Sequence, residues 1–133
     1  TRRIEGDYIL HENDLRGAVR FEDRVCQASY PLDPWEPKGQ NPYWKANNRC
    51  EVPFYFIPYR CLCARGKRNL LLAGRCISGT HVAMSSYRVT VIASLIGEAA
   101  GTAAALAAAK DGDIRGIAIN ELQAILRSNG IGI

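Results

Sequence analysis

Apolar residues are distributed unevenly along the chain, and the longest apolar segment lies near its C-terminal end. Between residues 89 and 109 the only charged residue is Glu98, and alanine supplies much of the length. This pattern predicts a long helix over residues 85–109, capped by Ser85 or Ser86 and closed near Gly112. Apolar residues also recur at helical spacing in residues 121–129, which predicts a second helix that ends at Gly130.

Residues 70–73 form a short apolar run, Leu-Leu-Leu-Ala, that is followed by Gly74. Four consecutive apolar residues between turn residues are typical of a strand buried on both faces in a parallel sheet. The chain offers no series of alternating strands and helices that could provide neighbours on both sides. We therefore expect this strand to complete a sheet built mostly by other residues.

The first half of the chain is rich in residues that break helices. All six prolines lie between residues 31 and 58, which excludes a helix there. Residues 52–59 are rich in β-branched and aromatic residues with Pro near both ends, so they predict an edge strand or a barrel strand. Residues 8–10 predict a short strand, and Asn13 is expected to cap a brief helix from Asp14.

The proline-rich stretch also contains large aromatic side chains that a long irregular segment can present to a ligand. Trp35, Tyr43 and Trp44 are candidates to line a substrate pocket. Burial without a functional role is the equal alternative.

Composition and charge narrow the class of protein. With 47% apolar and 23% charged residues the chain has a globular composition. The formal net charge of +4 comes from residues 61–133, where eight basic residues face four acidic ones. Five of these bases lie between Arg65 and Arg88. This density suits an anionic ligand or a solvated surface, and it is too low for a nucleic-acid tract.

The five cysteines are an odd number, and no secretory leader precedes them. Both features favour a reducing compartment over a secreted disulfide framework, so we expect a cytoplasmic protein. One conceivable zinc site would combine five residues: Cys50, Cys61, Cys63, Cys76 and His81. Because their spacing fits no common zinc module, we predict no metal site.

The apolar helix has three interpretations. Its length suffices to cross a bilayer, and Gly97 with Gly101 forms the small-xxx-small motif of membrane helix pairs, but Glu98 would be costly in the membrane. A core helix of a larger protein is the simplest interpretation. The third is that a flat cofactor approaches the nearly bare backbone of residues 97–103.

The segment before the helix favours the cofactor. A buried strand, then Gly74 and Arg75, then a helix start would place free backbone N–H groups and the positive end of the helix dipole at one edge of a sheet. Nucleotide cofactors bind at such edges. The glycine-rich GxGxxG fingerprint itself is absent.

Several segments together resemble a known family. Residues 69–78 (NLLLAGRCIS), 78–89 (SGTHVAMSSYRV) and 96–107 (IGEAAGTAAALA) resemble the C-terminal flavin-binding signature of FAD-dependent oxidoreductases related to glutathione reductase and fumarate reductase flavoproteins. Residues 1–10, 21–25 and 56–62 resemble the same family in the same order.

The resemblance implies an α/β fold. Residues 1–62 would be part of a substrate or cap domain with a long Pro-rich loop, and residues 63–133 would be the C-terminal strand and helices of a Rossmann-like FAD-binding domain. The implied cofactor is FAD and the implied reaction is hydride transfer with a small organic substrate. The implied partner is the N-terminal FAD-binding portion, in the same protein or another subunit, and a homo-oligomer is compatible with it. No nucleic acid and no membrane are implied.

The resemblance also implies roles for individual residues. The cofactor-binding candidates come from the turn after the predicted strand and from the predicted helix: Gly74, Arg75, Cys76, Ile77, Ser78, Ser85, Ser86, Gly97, Ala100 and Gly101. Many relatives have an acidic residue where this chain has Arg75, so a phosphate or substrate contact is expected there. The first alternative to these roles is a non-catalytic α/β interaction module that has lost the cofactor. Because the fingerprint is absent, we expect the 133-residue chain alone to be inactive.

The candidates for catalysis and substrate binding are fewer. His81 is expected to border the flavin ring as an acid or base, and Arg88 to neutralise reduced flavin or a substrate carboxylate. Tyr59 and Arg60 are expected to face the substrate. The alternatives are a backbone hydrogen bond for His81, an ion pair for Arg88 and a structural role for Tyr59 and Arg60.

Overall fold

A two-stranded antiparallel sheet lies at the centre of the fold in a computed structural model of the chain. The structure describes residues 3–34 and 50–133. In chain order its elements are α1 (Glu12–Arg16), β1 (Arg24–Ala28), β2 (Tyr55–Pro58), α2 (His81–Tyr87), α3 (Thr90–Ala108) and α4 (Ile119–Ser128). Two 3₁₀ turns, Tyr59–Cys61 and Gly74–Cys76, lie between β2 and α2. Helices with a small sheet agree with the predicted α/β class.

The strands pair with a bulge between Arg24 and Cys26, and Cys26 lies opposite Ile57. All four residues of β2 are buried, so the strand predicted over residues 52–59 is confirmed in a shorter form. The sequence did not predict β1, because a five-residue strand that buries three of its side chains shows no clear alternation.

Residues 70–73 form no regular strand with the described residues, and their predicted place in a sheet built mostly by other residues stays a prediction. Leu71 makes a single antiparallel bridge with Cys63, and the Leu72 amide donates to the Leu62 carbonyl at 2.7 Å. Leu70 is 43% exposed, because the described residues place no second neighbour beside it. Residues 8–10 likewise form only one bridge, from Leu10 to Gly79.

The long predicted helix is two helices, interrupted at Arg88 and Val89. The N-cap is Thr80, whose hydroxyl accepts from the Ala83 amide at 3.1 Å, so the caps predicted at Ser85 and Ser86 are wrong. Both serines lie inside α2 and are buried.

Tertiary contacts occupy these two serines. The Asp33 amide donates to the Ser85 hydroxyl at 3.0 Å. The Ser86 hydroxyl lies 2.8 Å from the Tyr55 hydroxyl and donates to the Tyr30 carbonyl. Nothing in the local sequence indicates such partners.

The ends of the other helices agree better with the sequence. Helix α3 ends near Gly112, whose positive φ of 72° lets its amide donate to the Ala107 carbonyl at 2.8 Å. Helix α4 begins two residues earlier than predicted and ends before Gly130, at φ 83°. Helix α1 begins at Glu12, so Asn13 lies inside it rather than at its cap.

Helix α3 buries one stripe of side chains and leaves the opposite face open. Ile92, Ile96, Ala99, Ala103 and Ala107 are buried, where α3 packs against β1, α4 and the 3₁₀ turn Gly74–Cys76. On the opposite face Val91 is 72% exposed. Among the described helices α3 alone is long and apolar enough to span a membrane, by length and composition only.

The buried side chains on either side of residue 62 belong to one hydrophobic cluster. The division into residues 1–62 and 63–133, and the Rossmann-like arrangement, remain predictions.

Candidate functional site

Two cavities in the described part of the chain are lined by some of the predicted functional residues. We call the first the helix-tip cavity: it has a volume of about 290 Å³ and is lined by Arg75, Arg88, Thr90, Ala93 and Ser94. We call the second the charged cavity: it has a volume of about 480 Å³ and is lined by Asp7, Phe21, Glu22, Asp23, Tyr59, Arg60, Cys63, Arg115 and Ile119.

The helix-tip cavity lies where α3 begins. The first amide that donates within the α3 ladder is that of Ala93, to Val89 at 2.9 Å, so the preceding amides have no i−4 partner. They form the positive end of the helix dipole. Two guanidinium groups line the same cavity, and the combination suits a phosphate or an electron-rich ring edge.

The 3₁₀ turn beside this cavity depends on glycine. Gly74 has a φ of 58°, which other residues rarely adopt. A Cβ there would lie 3.9 Å from the Ala93 side chain, so the turn passes close to the first turn of α3. Gly74 thereby holds Arg75 at the mouth of the cavity.

Arg88 forms the ion pair that was its alternative role, and its predicted contact with flavin or substrate stays a prediction. Its guanidinium donates to the Asp33 carbonyl at 3.0 Å and lies 3.7 Å from the Asp33 carboxylate. The side chain is still 36% exposed. It therefore forms an internal ion pair and also lines the helix-tip cavity.

The structure brings only some of the predicted cofactor residues to this cavity. Arg75 and Cys76 are exposed in the 3₁₀ turn, whereas Ile77 and Ser78 are buried behind it. Ser85 and Ser86 are turned into the core, as described above. Four predicted cofactor residues are therefore buried and do not line the helix-tip cavity: Ile77, Ser78, Ser85 and Ser86.

The small residues of α3 also differ in how closely other described residues approach them. A Cβ added to Gly97 or Gly101 would meet nothing within 4 Å, whereas Ala100 is only 7% exposed. Packing among the described residues therefore does not require glycine at either position. His81 is the exposed first residue of α2 and lines neither cavity.

Tyr59 and Arg60 lie in the charged cavity, which shares no lining residue with the helix-tip cavity. The Tyr59 hydroxyl donates to the Ile114 carbonyl at 2.7 Å. Arg60 holds Asp23 with two hydrogen bonds of 3.0 and 3.3 Å. Both residues thus make contacts that fit the alternative structural role, and both also line the charged cavity.

Sequence analysis missed most of this cavity. Arg115 donates to both oxygens of Asp7, at 2.8 and 3.0 Å, and also to the Ala64 carbonyl. The two partners are 108 positions apart, and no motif connects them. Only the short acidic run at Glu22 and Asp23 marks this region in the sequence.

Burial raises the pKa of two groups in the wall of the charged cavity, the Cys63 thiol and the Tyr59 hydroxyl. It raises the pKa of the Cys63 thiol to about 11 and raises the pKa of the Tyr59 hydroxyl well above its ordinary value. Both groups are uncharged at neutral pH even at their ordinary pKa values, so the charges of the cavity come from its carboxylates and guanidinium groups.

The remaining candidates are the possible metal ligands and the aromatic residues of the proline-rich stretch. Within residues 3–34 and 50–133, no group of three or more His, Cys, Asp or Glu side chains could hold a metal ion. Trp35, Tyr43 and Trp44 lie outside the described residues.

The buried thiols predict how stability depends on pH. Burial raises the pKa of Cys26 from 9.0 to about 12, so the folded chain keeps a proton that the unfolded chain loses. The stabilisation is complete below about pH 9 and falls as pH rises toward 12. Urea midpoints should therefore decrease between pH 8.5 and pH 10.5, since roughly 1.4 kcal/mol is lost per pH unit per group in that window. In Cys26→Ala the decrease should be smaller; an equal decrease would contradict the assignment.

Comparison with known proteins assigns a family to most of the chain. A family model described as FAD dependent oxidoreductase matches residues 1–126. No curated protein and no solved structure gives a significant match.

Proposed function

Because the chain belongs to the FAD dependent oxidoreductase family, whose members use FAD as their cofactor, we propose that it forms the C-terminal part of a flavin site. The helix-tip cavity is the proposed contact with the cofactor. The N-terminal FAD-binding portion, with a glycine-rich phosphate loop, is the proposed partner.

One observation carries this proposal: the first turn of α3 opens into a cavity that two guanidinium groups line. Both parts of FAD that carry or acquire negative charge, the pyrophosphate and the pyrimidine edge of the ring, suit such donors. The residues present therefore fit the cofactor.

The proposed reaction is hydride transfer with an organic substrate, for which bound FAD supplies the redox centre. The chain's own contribution is electrostatic: the α3 dipole and Arg88 stabilise negative charge that develops at the cavity. The contact between Arg88 and the Asp33 carbonyl fixes the guanidinium before any ligand arrives. Such fixed charges need no reorganisation during the reaction.

The open glycines of α3 support the same assignment. No described atom lies within 4 Å of a Cβ added at Gly97 or Gly101. A group outside the described residues therefore has room to approach the helix backbone closely at these two glycines. We propose that the cofactor domain or the cofactor itself approaches the helix there. His81 as the acid or base, and Tyr59 with Arg60 as substrate contacts, are separate proposals.

The test is FAD binding by the intact protein with Arg75→Gln. Arg75 is exposed and has no hydrogen bond or ion pair with the described residues, so the substitution should leave stability unchanged. Loss of a charge-assisted contact should weaken FAD binding about tenfold. Flavin fluorescence titration of the apoprotein measures this change.

Arg127→Gln is the matched control, because it removes the same charge from an exposed position at the end of α4. It should bind FAD as the unmodified protein does. Equal affinities of the two variants would contradict the proposed contact. An intact protein that purifies without flavin and takes up none would favour the interaction module instead.

A further inference from the structure

The charged cavity is a second place where this chain can hold a small molecule. Its volume of about 480 Å³ lies within the range of small-molecule sites. It shares no lining residue with the helix-tip cavity. The residues that line the charged cavity therefore indicate, by themselves, which kind of molecule it binds.

The two arginines of the cavity are already neutralised. Arg60 donates to both oxygens of Asp23, at 3.0 and 3.3 Å. Arg115 donates to both oxygens of Asp7, at 2.8 and 3.0 Å. A ligand that needed these guanidinium groups would have to displace two bidentate carboxylates.

Glu22 is the third carboxylate in the wall, and no described residue balances its charge. Its side chain has no hydrogen bond or ion pair with any residue the structure describes. Its backbone carbonyl accepts from the Gln123 amide at 2.8 Å, which holds the residue at the cavity. With three carboxylates facing two guanidinium groups, the cavity has one excess negative charge.

The remaining wall is apolar and partly aromatic. Phe21 is 9% exposed and packs edge-on against Tyr8 with ring centroids 5.3 Å apart. Ile119 and the ring of Tyr59 complete this surface. Such a surface contacts the apolar body of a ligand, and aromatic faces also attract cations.

We propose that the charged cavity binds a small organic cation, a primary amine on an apolar or aromatic body. The ammonium group lies at Glu22 and the outer face of the Asp23 carboxylate. The body lies on Phe21, Tyr59 and Ile119. This proposal does not rest on the flavin assignment.

The experiment titrates three probes of one shape and different charge into the purified protein: benzylamine, benzyl alcohol and benzoate. Protein NMR with labelled isoleucine methyl groups follows the Ile119 resonance, which localises binding to this cavity. We expect benzylamine to bind most tightly and benzoate least. Stronger binding of benzoate, equal binding of the three probes, or an Ile119 resonance that none of them shifts would overturn the proposal.

A pair of variants tests the role of the unpaired carboxylate. Glu22→Gln keeps the shape and breaks no described contact, so it should fold normally and bind benzylamine about fivefold more weakly. Its affinity for benzyl alcohol should not change. Glu51→Gln removes the same charge from an exposed position outside the cavity and should bind benzylamine normally. Equal affinities of the two variants for benzylamine would refute the ammonium position, whatever the outcome for FAD.

Discussion

Ile96→Ala is expected to lower the free energy of unfolding by about 3 kcal/mol, within the usual range for deleting a buried aliphatic side chain. Ile96 is fully buried and lies in the stripe with which α3 packs against β1 and α4. The loss combines the transfer free energy of the deleted groups with the cavity that they leave. Urea denaturation with an unchanged m-value measures it.

Val91→Ala is the control on the same helix. Because Val91 is 72% exposed, its truncation should change stability by less than about 0.5 kcal/mol. Comparable losses at the two positions would show that the helix is not buried along the stripe described here.

Gly79→Ala is expected to lower the free energy of unfolding by about 2 to 3 kcal/mol, as overpacking in a rigid region does. An added Cβ would lie 2.6 Å from the Tyr87 hydroxyl oxygen and 2.9 Å from its ring. Tyr87 cannot move aside easily, because it is fully buried and its hydroxyl donates to the Ile77 carbonyl at 3.3 Å. The Gly79 segment also bridges to Leu10, so a shift of its backbone would break that pairing.

The opposite result is expected for Gly97→Ala. This glycine lies inside α3 with nothing within 4 Å of the added Cβ, so alanine should raise stability by about 0.5 to 1 kcal/mol through its better helix propensity. In the flavin-free protein, the midpoint of thermal unfolding should thus be lower in Gly79→Ala and higher in Gly97→Ala. Shifts in the same direction would contradict the packing around Gly79 or around Gly97. The pair Gly79→Ala with Tyr87→Phe should recover part of the loss, since the closest atom is removed.

Helix prediction succeeded where the chain specifies its own geometry. Gly130 and Gly112 adopt positive φ at the ends predicted for α4 and α3, since a residue without a Cβ ends a helix at little cost. It failed at the start of α2, because Ser85 and Ser86 are capping residues by type but use their hydroxyls on a distant segment. Side-chain chemistry identifies a possible cap; only the fold decides which partner it finds.

The predicted flavin-binding residues also separate into those whose position the local sequence indicates and those whose burial only the fold decides. The family resemblance implies flavin or substrate contacts for Arg75 and Arg88, and both residues line the helix-tip cavity, although their contact with a flavin stays a prediction. Ile77 and Ser78 belong to the same predicted turn, yet they are buried. Sequence order placed this turn beside the start of α3, but it could not show which side chains of the turn would face outward.

By itself the sequence determined that residues 121–129 form an amphipathic helix, that residues 89–109 are helical and apolar, and that the chain resembles FAD-dependent oxidoreductases. These properties follow from local spacing, residue type and motif, which need no knowledge of distant neighbours. The tertiary structure alone decided that Asp7 meets Arg115 across 108 positions, that residues 70–73 make a single bridge with the described residues, and that Glu22 is left without a charge partner among the described residues. The physical reason is that burial and pairing depend on which surfaces the folded chain brings together, and charge or hydropathy along one chain carries no record of that.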